Sequence, residues 1–136
     1  MERYLLNYLL DTDILVNLLR GDAETIENME QKNVTVSDAS TSVLSIFELM
    51  EGAYLANSER ELVATMDLIN NLQILDLNKR IASEAGKISS SLKKKGKSIG
   101  IGDILIGATA VVENKILVTR NTKHFLVISN IKIISW

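Results

Sequence analysis

The segment YLLNYLLDTDILVNLLRG, residues 4–21, decides the fold. Tyr4 to Leu10 is an apolar block of strand length, and the triplet DTD at residues 11–13 follows it directly. Apolar residues then recur at helical spacing as far as Gly21. The pattern predicts a buried strand, a tight turn and a helix that ends at glycine, with two carboxylates at the carboxyl end of the strand.

Further strands are predicted along the chain. Ile74–Leu77, Ile116–Thr119 and Ile131–Ile134 are short apolar runs, and one strand with an ill-defined start lies within Val34–Leu44. Helical patterns separate these strands. Strands that are apolar on both faces and alternate with helices form a parallel sheet covered on both sides, so we predict an α/β fold with about five strands. Right-handed crossovers place the carboxyl ends of the strands at one edge, where such sheets bind ligands.

Polar residues and glycines mark the ends of the predicted helices, because the chain has no proline. Asp22, Ser58 and Asn78 are predicted N-caps, and Gly96 follows the helix that Asn78 opens. This helix is amphipathic, with Ile81, Ala85, Ile88 and Leu92 expected to face inward. Two more helices are predicted, from Ser45 to about Asn57 and from Asp103 to about Glu113.

Length and composition limit the possible functions. The 136 residues, 46% hydrophobic and 24% charged, predict one domain spanning residues 1–136. The formal net charge of −2 means that a phosphate partner must be bound by local features. The absence of cysteine and the single histidine exclude thiolate and imidazole metal sites, which leaves oxygen ligands and hence magnesium or manganese.

The chain shows no targeting signal and no apolar run long enough to span a bilayer. The longest uncharged apolar run, Ile104 to Val112, is far shorter than the roughly 20 residues that a spanning helix needs. We therefore expect a cytoplasmic protein that does not contact a membrane.

Three acids stand in apolar sequence near predicted element ends: Asp11 in LLDTDIL, Glu48 in SIFELMEG and Asp103 in IGIGDILIGATA. A carboxylate near a core needs a partner, and one divalent cation would serve all three. Each acid also has a structural explanation. Asp11 or Asp13 can cap the first helix, and Ser45 and Glu48 match the pattern of a capping box. Asp103 lies in the first turn of its predicted helix, where the helix dipole favours a negative charge.

The sequence around these acids resembles the PIN-domain family and, within it, the VapC-type toxin nucleases of toxin–antitoxin modules. The resemblance extends from LLDTDIL through SVLSIFELMEGA and GKSIGIGDILIGATA to ILVTRNTKHF. It implies a three-layer PIN-like fold in which Asp11, Glu48 and Asp103 bind the metal. It also implies that Thr119 and Asn121 are polar site residues at the end of the fourth strand.

The chain departs from the family pattern at two positions. Asn121 stands where the family often has a fourth acid, and no Asp or Glu follows Glu113. Gly107 stands where alanine is usual. The resemblance implies an endoribonuclease that uses Mg²⁺, with Mn²⁺ as an alternative, and hydrolyses RNA through a metal-activated water. It further implies a homodimer and a cognate VapB-type antitoxin, for which the helices between Phe47 and Leu72 offer a contact surface.

Several alternatives remain open on the sequence. Asp11 and Asp13 resemble the acid pair of haloacid-dehalogenase-type phosphatases, and an inactive nuclease fold would act as a binding module. Lys93, Lys94, Lys95 and Lys97 either contact RNA phosphates or form a solvated helix end. His124 lies beside Phe125, and we expect a structural or surface role for it.

Overall fold

The computed structural model describes residues 7–136. Its elements are β1 (Tyr8–Leu10), α1 (Thr12–Leu19), α2 (Ala23–Gln31), β2 (Ser40–Ser42), α3 (Val43–Leu55), α4 (Glu59–Asn71), β3 (Gln73–Leu75), α5 (Lys79–Lys94), α6 (Ile101–Val112), β4 (Ile116–Val118), α7 (Thr122–Phe125) and β5 (Lys132–Ile134). The first part of the predicted first strand, residues 4–6, lies outside the described residues. None of the helices in residues 7–136 is both long and apolar enough to cross a membrane.

The five strands form one parallel sheet in the order β3-β2-β1-β4-β5. β1 is central, with Leu9 opposite Ser40 of β2 on one side and Leu117 of β4 on the other. The predicted parallel α/β sheet is therefore confirmed. The order places the carboxyl ends of β1, β2 and β4 side by side.

Successive residues of the central strands belong to cores on opposite faces of the sheet. Leu9 and Leu117 pack with α5 and α6, whereas Leu10 and Val118 pack with α1, α3 and Trp136. This alternation follows from the two-residue period of a strand, and it gives three layers with helices on both faces. The four predicted inward residues of α5 are buried.

β2 was hard to locate from the sequence because its residues are polar and yet buried. Ser40 Oγ donates to the carbonyl of Tyr8, and Thr41 Oγ1 donates to the carbonyl of Leu10, both at 2.8 Å. These bonds to β1 satisfy the hydroxyls inside the sheet, so burial of β2 leaves neither group without a partner. The strand therefore lacks the apolar pattern on which the prediction depended.

Local boundary signals were correct at several helices. Asp22, Ser58 and Asn78 each accept a hydrogen bond from a backbone N–H in the first turn of α2, α4 and α5. Gly21 and Gly96 both have φ +69°, the left-handed conformation that favours glycine after a helix.

The predicted capping box was wrong. α3 begins at Val43 and its N-cap is Ser42, whose hydroxyl accepts from the N–H of Leu44 at 3.1 Å. Ser45 and Glu48 are thus inside the helix, where neither has an N-terminal N–H to cap. α6 likewise begins at Ile101, two residues before the predicted start at Asp103.

Gly107 marks a close approach between α6 and the segment after α7. A Cβ at this position would lie 2.4 Å from Cδ1 of Ile128 and 3.6 Å from the ring of Phe125. Phe125 and Ile128 are both buried. The glycine therefore lets α7 and the segment after it pack directly against α6.

Candidate functional site

Asp11 occupies the middle of the site because it directly follows the central strand. Its backbone N–H donates to the carbonyl of Val118 at 2.9 Å. Its carboxylate accepts from the N–H of Thr12 and from the hydroxyl of Thr119, each at 2.8 Å. Asp11 is the N-cap of α1, so the alternative in which Asp13 caps that helix is wrong.

Asp11 is buried, with only 7% of the residue exposed. Its pKa is raised from 3.8 to about 6, mainly by burial and next by the carboxylate of Asp13. The hydrogen bonds from Thr119 and Thr12 oppose this shift, and Asp103 adds to it. Within residues 7–136, no ion pair involves Asp11. The charged form of this buried acid therefore lacks a positive partner in the described part of the chain.

Thr119, at the end of β4, holds Asp11 in place. Its hydroxyl has one proton, which is best placed for Asp11, because Asp13 Oδ2 is 3.4 Å away. The same hydroxyl oxygen accepts from the backbone N–H of Asn121 at 3.0 Å, which fixes its orientation. Asp13 Oδ2 accepts instead from the N–H of Arg120 at 2.9 Å, and its buried Oδ1 has no hydrogen-bond partner among residues 7–136.

The guanidinium of Arg120 is turned away from the acids. It donates to Asp22 at 2.9 Å and lies 3.3 Å from Glu24, and its Nε donates to the carbonyl of Trp136. The pKa of Asp22 is lowered, mainly by hydrogen bonds from the N–H and hydroxyl of Thr25 and less by Arg120. Arg120 thus ties α2 and the last described residue to the sheet and leaves the charge at Asp11 unbalanced.

Glu48 reaches the site from α3. The hydroxyl of Thr12 donates to Glu48 Oε1 and also lies 2.9 Å from the hydroxyl of Ser45. Thr12 therefore contacts both predicted metal ligands, Asp11 through its backbone N–H and Glu48 through its hydroxyl. Glu48 is exposed, which leaves its carboxylate free to change rotamer.

Asp103 lies in the first turn of α6, at the opposite side of the site. Its side chain is 29% exposed, and Oδ2 is 3.1 Å from Nδ1 of His124 in α7. The amide of Asn121 is 2.8 Å from the same ring nitrogen. Nδ1 either accepts from the Asn121 amide or, when it carries a proton, donates to Asp103, so Asn121 and Asp103 are alternative partners of the same ring nitrogen.

His124 is the site residue that the sequence analysis missed. The prediction that His124 lies at the surface is confirmed, since 56% of its side chain is exposed. The prediction did not include the contact between its Nδ1 and Asp103. The sequence carried one usable signal, namely the three-residue spacing from Asn121 to His124, which places both on one face of a helix. The contact with Asp103 spans 21 residues and depends on how α7 packs on α6.

The donor chemistry of the site fits a hard divalent cation. As placed, the described residues include no group of three His, Asp or Glu side chains close enough to hold a metal ion. The available donors are nevertheless oxygen atoms, as Mg²⁺ and Mn²⁺ prefer. Asp11 is buried without a positive partner among these residues, Asp13 Oδ1 is unpaired there, and Asp103 is close enough to raise the pKa of Asp11. A cation would supply the charge that this arrangement lacks.

Comparison with protein families matches residues 8–129 to the PIN domain. Among curated proteins, the chain is 33% identical over 122 residues to "Ribonuclease VapC2" of Haemophilus influenzae, covering 89% of this chain and 91% of that protein. It is 29% identical over 133 residues to the "tRNA(fMet)-specific endonuclease VapC" of Salmonella typhimurium, covering 97% and 99%.

Solved structures show the same likeness. The chain resembles DNA-bound VapBC from Salmonella typhimurium with a TM-score of 0.84 and 29% identity, covering 96% of this chain and 98% of that one. It resembles VapBC2 from Rickettsia felis, bound to a promoter DNA fragment, with a TM-score of 0.82 and 29% identity, covering 95% and 98%. The fold predicted from the resemblance is thereby confirmed.

Proposed function

The chain belongs to the PIN domain family, and on that basis we propose that it is a metal-dependent endoribonuclease, the VapC-type toxin of a toxin–antitoxin pair. The observation that carries the proposal is Asp11, a buried carboxylate without a cationic partner in residues 7–136, at the end of the central strand and with Asp103 near it. The proposed nuclease unit is residues 1–136, and a cytoplasmic location would give it access to RNA. Family membership favours this function over a phosphatase.

In this proposal, Asp11 and Asp103 would hold one Mg²⁺ ion, and Glu48 would join them if its side chain turned away from the hydroxyl of Thr12. Mn²⁺ would serve in the same place. A bound ion would polarise the scissile phosphate and lower the pKa of a water molecule for attack on phosphorus. Thr119 keeps the Asp11 carboxylate oriented by donating its one proton to Oδ2. Asn121 and Asp103 would share His124 as a neighbour, and the protonated Nδ1 would orient the Asp103 carboxylate.

The structural relatives that are VapBC complexes support an antitoxin partner. A groove of about 250 Å³ between α1, α3 and α4 is bordered by Glu48 and by apolar residues such as Val16 and Leu49. An antitoxin segment in this groove would cover one proposed metal ligand. We also propose a homodimer, because α3 and α4 leave Tyr54 and Met66, among other large apolar side chains, exposed.

The proposal is tested by RNA cleavage. Purified protein is incubated with a panel of RNAs that includes tRNA, in Mg²⁺, in Mn²⁺ and in EDTA, with a phosphomonoester as the control substrate. We expect cleavage that needs the metal and falls at least about 100-fold in Asp11→Asn and in Asp103→Asn, since even residues that only support metal ligands change activity 10- to 100-fold. Asp67→Asn removes an exposed acid of α4 and is the matched control.

Hydrolysis of the phosphomonoester without RNA cleavage would overturn the proposal in favour of a phosphatase. Equal RNA cleavage by Asp11→Asn and Asp67→Asn would overturn the assigned site. Failure of any metal to support cleavage, in protein whose thermal unfolding is cooperative, would favour an inactive binding module.

A further inference from the structure

One segment of the chain carries positive charge without any acid. Residues 85–102 contain five lysines and no acid. Removing these five charges from the formal net charge of −2 leaves −7 for the rest of the chain. A protein of this overall charge repels a polyanion, so an RNA substrate needs a local cationic surface.

The structure groups four of these lysines in what we call the basic turn, residues 93–97, at the end of α5. Lys93 and Lys94 occupy the last turn of the helix, and Lys95 and Lys97 follow it. Gly96, with φ +69°, reverses the chain, and the N–H of Lys97 donates to the carbonyl of Leu92 at 2.9 Å. All four lysines are exposed. Among the described residues, none of the four takes part in a salt bridge.

The helix dipole accounts for part of this charge. Cations in the last turn of a helix are favoured by roughly 0.3–1 kcal/mol, which explains Lys93 and Lys94. Lys95 is the C-cap of α5, where the same effect still applies, whereas Lys97 lies two residues further along the chain. The helix dipole therefore does not account for Lys97 or for the clustering of all four cations at one chain reversal.

The basic turn lies at the same end of the molecule as Asp103. Ile88 and Leu92 of α5 share a core with Ile104 and Ala108 of α6, and only residues 95–100 connect the two helices. A short connection between closely packed helices makes them antiparallel, so the end of α5 lies beside the start of α6. Asp103 is in the first turn of α6.

The surface between the basic turn and Asp103 is open to a ligand. Gly100 is the N-cap of α6, and no side chain of residues 7–136 caps this helix, so its first N–H groups remain available to an acceptor. Apart from the adjoining backbone, no described group lies within 4 Å of the place where a Cβ of Gly100 or Gly102 would lie. A phosphate can thus approach the backbone between the lysines and the proposed metal site.

We propose that the basic turn and the start of α6 form a binding track for the phosphates of single-stranded RNA on one side of the scissile bond. The track rests on the proposed function, because it leads to the same site. Lysine ammonium groups and the neighbouring serine hydroxyl of Ser98 suit phosphate oxygens. The basic turn is poorly matched to a protein partner, because residues 93–98 carry no apolar side chain. Ile101, the first residue of α6, is 78% exposed and offers the track a single apolar contact.

The test compares two variants with equal loss of charge, one at and just beyond the end of α5 and the other between the start and the middle of the same helix. The track variant is Lys94→Gln/Lys95→Gln/Lys97→Gln, and the control variant is Lys79→Gln/Arg80→Gln/Lys87→Gln, whose residues are also exposed. Fluorescence anisotropy measures binding of a labelled single-stranded RNA of about 12 nucleotides, in EDTA and over a range of salt concentrations. EDTA separates binding from cleavage.

We expect the track variant to bind RNA about tenfold or more weakly, with the slope of log Kd against log salt reduced by about 2, since each phosphate contact on a single strand contributes about 0.7. In Mg²⁺, its KM for an RNA that the wild type cleaves should rise while kcat stays unchanged. The control variant should match the wild type in both measurements.

Equal effects of the two variants would overturn the track. It would also be overturned if RNA binding were unchanged while binding of a labelled oligoglutamate peptide was lost, because the basic turn would then be a protein-binding surface. Absence of cleavage by the wild type would overturn the proposed function alone, since RNA binding in EDTA still reports on the track.

Discussion

The proposed site has a buried half and an open half, which differ in how they hold a carboxylate. In the buried half, Asp11 is fixed by Thr12 and Thr119 and is 7% exposed. In the open half, Asp103 is 29% exposed and contacts His124, which is itself more than half exposed. The buried half holds its carboxylate in one geometry, but burial of the charged group lowers the stability of the folded protein. The open half leaves room for a substrate to approach.

The largest expected effect concerns the stability of the buried half. The Asp11 carboxyl has a pKa of about 6 when folded and 3.8 ordinarily, so the folded protein binds its proton more tightly. Protonation of Asp11 therefore stabilises the folded protein by about 3 kcal/mol relative to the charged form. This contribution is fully present below about pH 4 and is lost as the pH rises through 6. In EDTA, Asp11→Asn should therefore gain stability over the wild type by about this amount between pH 4 and 7.

Urea unfolding followed by the fluorescence of Trp136, the one tryptophan of the chain, measures this difference. Asp103→Asn is the matched control from the open half. Asp103 is the smallest of the causes that raise the pKa of Asp11. The difference in free energy of unfolding between Asp103→Asn and the wild type should therefore change far less with pH. A pH-independent difference between Asp11→Asn and the wild type would show that the two halves do not differ in this way.

The next effect concerns how the open half orients its acid. Loss of a side chain that positions a metal ligand typically weakens metal binding 10- to 100-fold. His124→Ala should therefore raise the Mg²⁺ concentration for half-maximal cleavage about tenfold. His124→Asn, whose amide can donate from nearly the position of Nδ1, should retain most of the affinity.

Mn²⁺ titration calorimetry checks this prediction without relying on activity, and Lys123→Ala is the exposed neighbouring control. If His124→Ala and Lys123→Ala bind Mn²⁺ equally well, then the contact with Asp103 has no part in metal binding.

The third prediction concerns the packing that supports the open half. Gly107→Ala places a methyl group 2.4 Å from Cδ1 of Ile128, and overpacking of a buried site costs about 1–3 kcal/mol. Alanine also favours a helix by up to about 1 kcal/mol over glycine, so we expect a net loss of about 1 kcal/mol. Ile128→Val removes the clashing atom.

A double-mutant cycle of these two changes, measured by chemical denaturation, should give a favourable coupling between Gly107→Ala and Ile128→Val. Purely additive effects would mean that Ile128 simply rotates away from the introduced methyl group and that Gly107 does not set the approach of α7.

The smallest expected effect is at Asn121. This residue gives the open half an amide where the family often has an acid, so we expect one metal to bind well and a second one weakly. Asn121→Asp should tighten the second site a few-fold in the free protein, as measured by calorimetry with Mn²⁺. Two equally tight sites in the wild type would contradict this prediction.

Local chemistry made much of the fold predictable. Asp22, Ser58 and Asn78 were identified as caps because each bonds to a backbone N–H within three residues. The amphipathic face of α5 was identified because helical spacing alone defines it. β2 lies within the predicted range Val34–Leu44, but its exact position could not be predicted, because its buried hydroxyls are satisfied by bonds to β1 across more than 30 residues.

The sequence by itself determined which acids stand in apolar surroundings, and the absence of cysteine with a single histidine determined that a metal would be held mainly by oxygen donors. The tertiary structure decided that Asp11 is the buried one, that Thr119 orients it, and that His124 contacts Asp103. The physical reason is that capping and periodicity depend on residues a few positions apart. Burial and the pairing of Thr119 with Asp11, 108 residues away, arise only when the strands and helices pack together.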